Sequence, residues 1–231
     1  MILPGVILSA IMLALMIVHM ESAYSQLHMK PVFSLYPQTQ LNQLTIFFPH
    51  AIRGTDLVAE CITAYSGPFV EDGSYDDVVG IAALTLRNCG TQTLECARIV
   101  FRQGTRCLSF QAQTILPGET ALVLEETRQG YEQFPYYNCT AELTMDDHIS
   151  ALPNELDLSI LDEDYLLIQN QTDRNLTNVQ IEYKRWSYEQ DLYIGGVTWK
   201  VSVGELSIGQ TVTAYIPQVG KYNRIVRITY Q

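Results

Sequence analysis

The chain has 231 residues, 47% of them hydrophobic and only 17% charged, a composition that excludes a disordered chain. Its 25 acidic and 14 basic side chains leave a formal charge of −11, a surface that repels phosphate backbones and makes nucleic acid a poor partner. The length suits one large domain or two small ones.

No charged side chain occurs from Met1 to Met20, and Val6 to Val18 is almost purely aliphatic. A spanning helix needs about 20 apolar residues and no fewer than about 17. Residues 1–20 are therefore expected to be an N-terminal transmembrane anchor, with the lipid bilayer as partner. The alternative is a secretory signal cleaved at Ala23-Tyr24-Ser25, giving a secreted protein. The missing basic n-region and the length of the run favour the anchor. No basic cytoplasmic tail is evident, so the body is expected on the extracytoplasmic side. Residues 21–40, with Pro31 and Pro37, read as a linker.

The rest reads as short strands of alternating or β-branched residues between turn signals. Expected strands are Leu44–Phe48, Leu57–Tyr65, Val78–Arg87, Leu94–Phe101, Leu108–Ala112, Thr120–Glu125 and Cys139–Met145. A second set comprises Glu155–Leu161, Tyr165–Gln169, Leu176–Arg185, Val197–Val203, Thr211–Ile216 and Ile225–Tyr230. Breaks such as Asn88-Cys-Gly90, Pro117-Gly118, Gly195-Gly196 and Ser207-Ile-Gly209 place Gly, Asn and Pro where tight turns need them. No segment holds a 3.6-residue apolar period. The fold class is all-β.

Leu84–Ile99 aligns without gaps on Leu166–Ile181, at an offset of 82 that carries Asn88 onto Asn170 and Leu94 onto Leu176. Further on, Leu116-Pro-Gly-Glu-Thr120 matches Leu206–Thr211 at an offset of 90 to 91, so the second copy carries an insertion, Tyr188–Gly196. Such an internal repeat predicts two tandem β-sandwich modules, 41–148 and 149–231, with a boundary near Asp146–Pro153. The Asn side chain suits the turn because it bonds nearby backbone groups and tolerates left-handed geometry.

The Leu84-Thr-Leu-Arg-Asn-Cys-Gly90 turn followed by Leu116-Pro-Gly-Glu119 resembles the immunoglobulin-like or fibronectin-type-III-like modules of bacterial surface proteins. Ala64-Tyr-Ser-Gly-Pro-Phe-Val-Glu-Asp-Gly73 is similar to uncharacterised membrane-anchored proteins of Gram-positive anaerobic bacteria. The resemblance spans residues 40–231. It implies two immunoglobulin-like sandwiches behind a membrane anchor in a cell envelope, and it implies no activity.

All five cysteines, Cys61, Cys89, Cys96, Cys107 and Cys139, fall in the first half. Three lie in strand patterns, so free thiols are expected ahead of one disulfide. No Cys-x-x-Cys occurs, and no metal site or cofactor is expected. No nucleotide or nucleophile-elbow motif occurs either. The four histidines, His19, His28, His50 and His148, form no evident catalytic set, although a Cys139–His148 dyad is a remote option. Acidic groups at Glu71-Asp72 with Asp76-Asp77, at Asp146-Asp147 and at Asp162-Glu-Asp164 read as solvated turns ahead of Ca²⁺ ligands.

Aromatics are more suggestive. Tyr131, Phe134, Tyr136 and Tyr137 share one loop, and Tyr183, Trp186, Tyr188, Tyr193 and Trp199 surround the inserted hairpin. Exposed rings on loops stack on sugars or anchor protein partners. The second group is the candidate ligand-binding set, and capping of the sandwich cores is its competing role. The expected function is a non-enzymatic, membrane-tethered structural or interaction protein of a cell envelope. A carbohydrate- or protein-binding module using the aromatic hairpin is the alternative.

Overall fold

A computed structural model describes residues 39–40, 44–52, 54–103, 105–132, 137–146 and 155–231. The expected anchor and almost all of the linker lie outside the described residues, as does 147–154, most of the expected boundary. Among the described residues no helix is long and apolar enough to cross a membrane, and regular structure is entirely β.

The first strands are β1 (Thr39–Gln40), β2 (Leu44–Ile46), β3 (His50–Ala51), β4 (Leu57–Pro68), β5 (Asp77–Asn88), β6 (Thr93–Gln103), β7 (Arg106–Ile115), β8 (Thr120–Leu124) and β9 (Tyr137–Asp146). They are followed by β10 (Leu156–Asp162), β11 (Tyr165–Asn170), β12 (Leu176–Ser187), β13 (Leu192–Ile194), β14 (Trp199–Leu206), β15 (Thr211–Tyr215) and β16 (Asn223–Thr229). Every expected strand is present; β1, β3 and β13 were not foreseen.

The repeat is visible in the hydrogen-bond ladders. In the first half β5 pairs with β4 and β8, and β6 pairs with β7 and β9. In the second half β11 pairs with β10 and β15, and β12 pairs with β14 and β16. Registers match as well. Leu84 faces Val123 as Leu166 faces Ala214, and Ile99 faces Phe110 as Ile181 faces Val201.

The turn chemistry repeats atom for atom. Asn88 Nδ2 donates to Gln92 O at 2.7 Å and Ile115 O at 2.9 Å, and its Oδ1 accepts from Gly90 N at 3.1 Å. Asn170 Nδ2 donates to Arg174 O at 2.9 Å and Leu206 O at 3.0 Å, and its Oδ1 accepts from Thr172 N at 2.9 Å. Both side chains are fully buried. Each supplies in the interior the donors and acceptors that a chain reversal leaves without partners.

One apolar cluster lies between the two three-strand groups of the first half, and a second cluster fills the second half. The clusters interleave. The first takes in Trp186, Tyr193 and Val226 from the second half. The second takes in Phe69, Val70, Val78, Ile81, Ala83, Leu122 and Leu124 from the first. The other face of β5 and β8 is thus covered by the second half instead of by water. Residues 33–231 accordingly form one compact unit, joined more tightly than modules strung end to end.

Candidate functional site: the seam between the halves

The joint is made by the insertion. After β12 the chain reverses, and β13 pairs antiparallel with β12 through Trp186–Tyr193 and parallel with β8 through Tyr193–Ala121 and Ile194–Leu122. One sheet therefore runs from β14 through β12, β13, β8 and β5 to β4 and β3. Gly195 N–H extends the ladder to Leu122 O at 2.8 Å. Gly195 has φ +84°, and a Cβ on Gly196 would stand 1.7 Å from Gln111 O, so the sequence must be Gly-Gly for the chain to cross here.

Polar groups close around this crossing. Glu71, in the turn after β4, accepts from Gly196 N (2.8 Å) and Leu124 N (2.9 Å) on Oε1 and from Val197 N (3.1 Å) on Oε2. Gln113 N–H donates to Gly196 O at 2.8 Å. Its Oε1 accepts from Thr198 N at 3.0 Å, and its carbonyl from the Thr198 hydroxyl at 3.2 Å. Lys184, wholly buried, donates to Gln113 O at 2.6 Å and Gly196 O at 3.3 Å and lies 5.5 Å from the centre of the Tyr193 ring. Beside it Glu182 takes Thr114 Oγ1 at 3.2 Å, Lys200 Nζ at 2.7 Å and Arg227 Nη2 at 2.9 Å, and Arg227 also grips Glu95.

Burial dominates the titration of the seam. It pushes Glu71 up to about 7, against the pull of the main-chain N–H groups of Gly196, Leu124 and Val197 and of Lys184. It draws Lys184 down to about 8, with Glu71 the strongest of the carboxylates opposing the shift. Burial acts on Glu182 too, but hydrogen bonds from Arg227 and Lys200 outweigh it and hold that carboxyl below the usual range.

A cavity of about 430 Å³ opens over the seam, lined by Phe69, Glu71, Gln111, Gln113, Glu126, Val197 and their neighbours. Its rim is locked. Arg128 lies 4.4 Å from the centre of the Phe69 ring and pairs with Asp72 at 2.6 Å. Glu71 spends both oxygens on the main chain, so its chemistry here is that of a clamp between strands.

The aromatic set behaves differently from its sequence reading. Tyr183 (6% exposed), Trp186 (6%), Tyr193 (2%) and Trp199 (8%) are core residues, and only Tyr188, 59% exposed, stands on the surface. Burial of those four agrees with the capping role set beside ligand binding in the sequence. Trp186 is pinned edge-on by Tyr193 at 4.7 Å and covered by Arg224 at 4.0 Å, and Tyr193 donates to Glu119 at 3.0 Å. Tyr188 donates to Gly220 O at 2.6 Å. In the other aromatic loop, Tyr131 packs on the first core; Phe134, Tyr136 and the Tyr137 side chain lie outside the described residues.

Cys139 is buried, its thiol pushed up to about 12, Cys89 is exposed, and all five cysteines are unpaired in the structure. His148 lies outside the described residues, so the dyad with Cys139 has no geometry here. Among the described residues no three His, Cys, Asp or Glu side chains are arranged to hold a metal ion. The acidic turns have local partners: Asp162 accepts from Asp164 N at 2.8 Å, Asp164 from Gln218 N at 2.9 Å, and Glu163 pairs with Lys221 at 3.3 Å.

No protein-family model matches the chain, and no curated protein does. A solved structure with a weak likeness is the C-terminal globular domain of an oligosaccharyltransferase from Pyrococcus abyssi, at 12% identity and a TM-score of 0.12. The match covers 74% of this chain and 46% of that one, and at that score it assigns neither fold nor activity.

Proposed function

We propose that this chain is a non-catalytic structural or interaction protein, tethered to a membrane by residues 1–20 and displaying its body on the extracytoplasmic side of a cell envelope. On this reading the body is two immunoglobulin-like sandwiches, 41–148 and 149–231, fused into one rigid unit. The observation that carries it is the seam. Glu71, Gln113 and Lys184 use their polar groups to bind strands of the two halves together, and rigidity suits a spacer or presenting surface better than a cycling enzyme. The aliphatic run from Val6 to Val18 supplies the tether. On the rival reading, a carbohydrate- or protein-binding module using the aromatic hairpin, Tyr188 is the exposed ring of the set, the other four being buried.

The test is intact mass analysis of the native protein from separated membrane and medium fractions. The proposal expects the uncleaved N-terminus in the membrane. A mature chain in the medium beginning near Gln26 overturns the tether.

A further inference from the structure

The cavity over the seam holds a polar group that the clamp leaves unspent. Gln113, on β7, lines it with a side chain only 9% exposed. Its N–H is used by Gly196 O, its carbonyl by Lys184 and Thr198, and its Oε1 by Thr198 N. Nε2 alone has no partner among the described residues, so its two N–H bonds have the cavity to donate into. An interior amide donor without an acceptor is costly, and such a group calls for an explanation.

The rest of the wall narrows the chemistry. Phe69 and Val197, both buried, give it apolar surface. Glu126, from the turn after β8, has Oε2 3.7 Å from Arg98, too far for a hydrogen bond. Glu71 is fully engaged with main-chain N–H groups, and Asp72 is tied to Arg128 and to Ser74 N. The unspent groups are therefore one amide donor and one carboxylate acceptor beside an apolar surface. Among the described lining residues the carboxylates of Glu71, Asp72 and Glu126 outnumber Arg128, which disfavours an anion. The volume of about 430 Å³ suits a small molecule. A neutral sugar meets these conditions together. Each hydroxyl both accepts and donates, so one ring takes the amide N–H on an oxygen, gives an O–H to the carboxylate and rests its C–H face on Phe69 or Val197.

We infer that the cavity at the seam is a binding site for one neutral sugar unit, with Gln113 Nε2 donating to one hydroxyl and Glu126 Oε2 accepting from another. The unit arrives as a free saccharide or as one residue of a longer glycan. The inference rests on the non-catalytic interaction reading above and gives it a ligand class, but it needs neither the membrane tether nor the aromatic hairpin.

The test uses the full-length chain in a detergent without a sugar headgroup. Glucose, galactose, N-acetylglucosamine, cellobiose and cellohexaose are titrated by ligand-observed saturation-transfer NMR, with glucuronate as the anionic control. The expected result is millimolar or tighter binding of at least one neutral sugar, with glucuronate at least tenfold weaker than glucose. Glu126→Gln and Gln113→Glu, which keeps the Oε1 acceptor for Thr198 N, should each weaken that binding tenfold or more with an unchanged circular-dichroism spectrum. If Gln113→Glu fails to fold, Glu126→Gln decides. Tighter binding of cellohexaose than of glucose assigns the site to a glycan chain, and equal binding assigns it to a free saccharide. No binding of any neutral sugar at tens of millimolar overturns the inference, as does glucuronate binding as well as glucose, or undiminished binding in Glu126→Gln. Binding lost in Tyr188→Ala but kept in Glu126→Gln places the sugar on the aromatic hairpin and also overturns it. Sugar recovered chemically changed contradicts the non-catalytic reading and leaves the site standing, so the two failures are separable.

Discussion

The hairpin joining β6 to β7 and the one joining β12 to β14 occupy equivalent places and do different work. The first closes tightly and contributes only its own two strands. The second carries Tyr188–Thr198, and those residues make the joint: Tyr193 enters the first core, Ile194 the second, and Gly195-Gly196 threads between Leu122, Gln111 and Glu71. The Asn88 and Asn170 turns, in contrast, do the same work in the same way. Conformation that depends on nearby residues recurs in both halves, and the difference that fuses them lies in one inserted segment.

The sharpest way to break this contrast is Gly196→Ala. The added methyl meets main chain, which cannot swing aside, so β13 must leave β8. A loss of about 4 kcal/mol or more is expected in urea denaturation. The same change at Gly204, in open space but at φ +84°, should cost only about 1 kcal/mol.

Glu71→Ala comes next. It strands the N–H groups of Leu124, Gly196 and Val197 and removes the strongest of the carboxylates facing Lys184, for an expected loss of about 3 kcal/mol. The same groups set a pH profile. Between 4.5 and about 7 the folded chain keeps a proton on Glu71 that the unfolded chain has released, so this group's contribution to stability falls as pH rises. Between about 8 and 10.5 the unfolded chain keeps a proton that folded Lys184 has released, so stability rises with pH. The seam's contribution is therefore lowest between about 7 and 8. Urea midpoints across pH 4–10 should show the falling limb, and Glu71→Gln should flatten it.

Asn88→Ala and Asn170→Ala sharpen the other side of the comparison. Each leaves buried carbonyls unpaired, and each is expected to cost about 2 kcal/mol. Costs differing by more than about 1 kcal/mol would show that the turns are not energetic equivalents.

These turns and the strands themselves were legible in the sequence because their cause is local. Leu-x-x-x-Asn at an offset of 82 is a statement about neighbours, and alternation reports which face of one strand is apolar. The seam was not legible, because alternation cannot say what covers the second face. Glu182 and Lys184 are charged residues of β12, yet both are buried, with Gln113, Thr114 and Gly196 among their partners. Trp186 and Tyr193 read as a display on a loop because the insertion has no counterpart in the first half, and nothing local says that it folds back onto β8. Gly195-Gly196 was read as a turn; its second meaning, close approach of two backbones, was the one available hint.

Tyr188→Ala is the mildest change, expected within about 0.5 kcal/mol of wild type because the ring is mostly in water. Only this member of the aromatic set can be altered without also altering the fold, so only it can report on ligand binding through that loop.

Fusion itself is tested most directly by unfolding with one reporter per core. Trp186 belongs to the first cluster and Trp199 to the second. Urea unfolding followed by tryptophan fluorescence in Trp199→Phe reports the first core, and in Trp186→Phe the second. After correction to wild-type stability by a common circular-dichroism signal, the seam predicts coincident transitions at one midpoint. Two separated midpoints, with one core melting while the other stays intact, would contradict it.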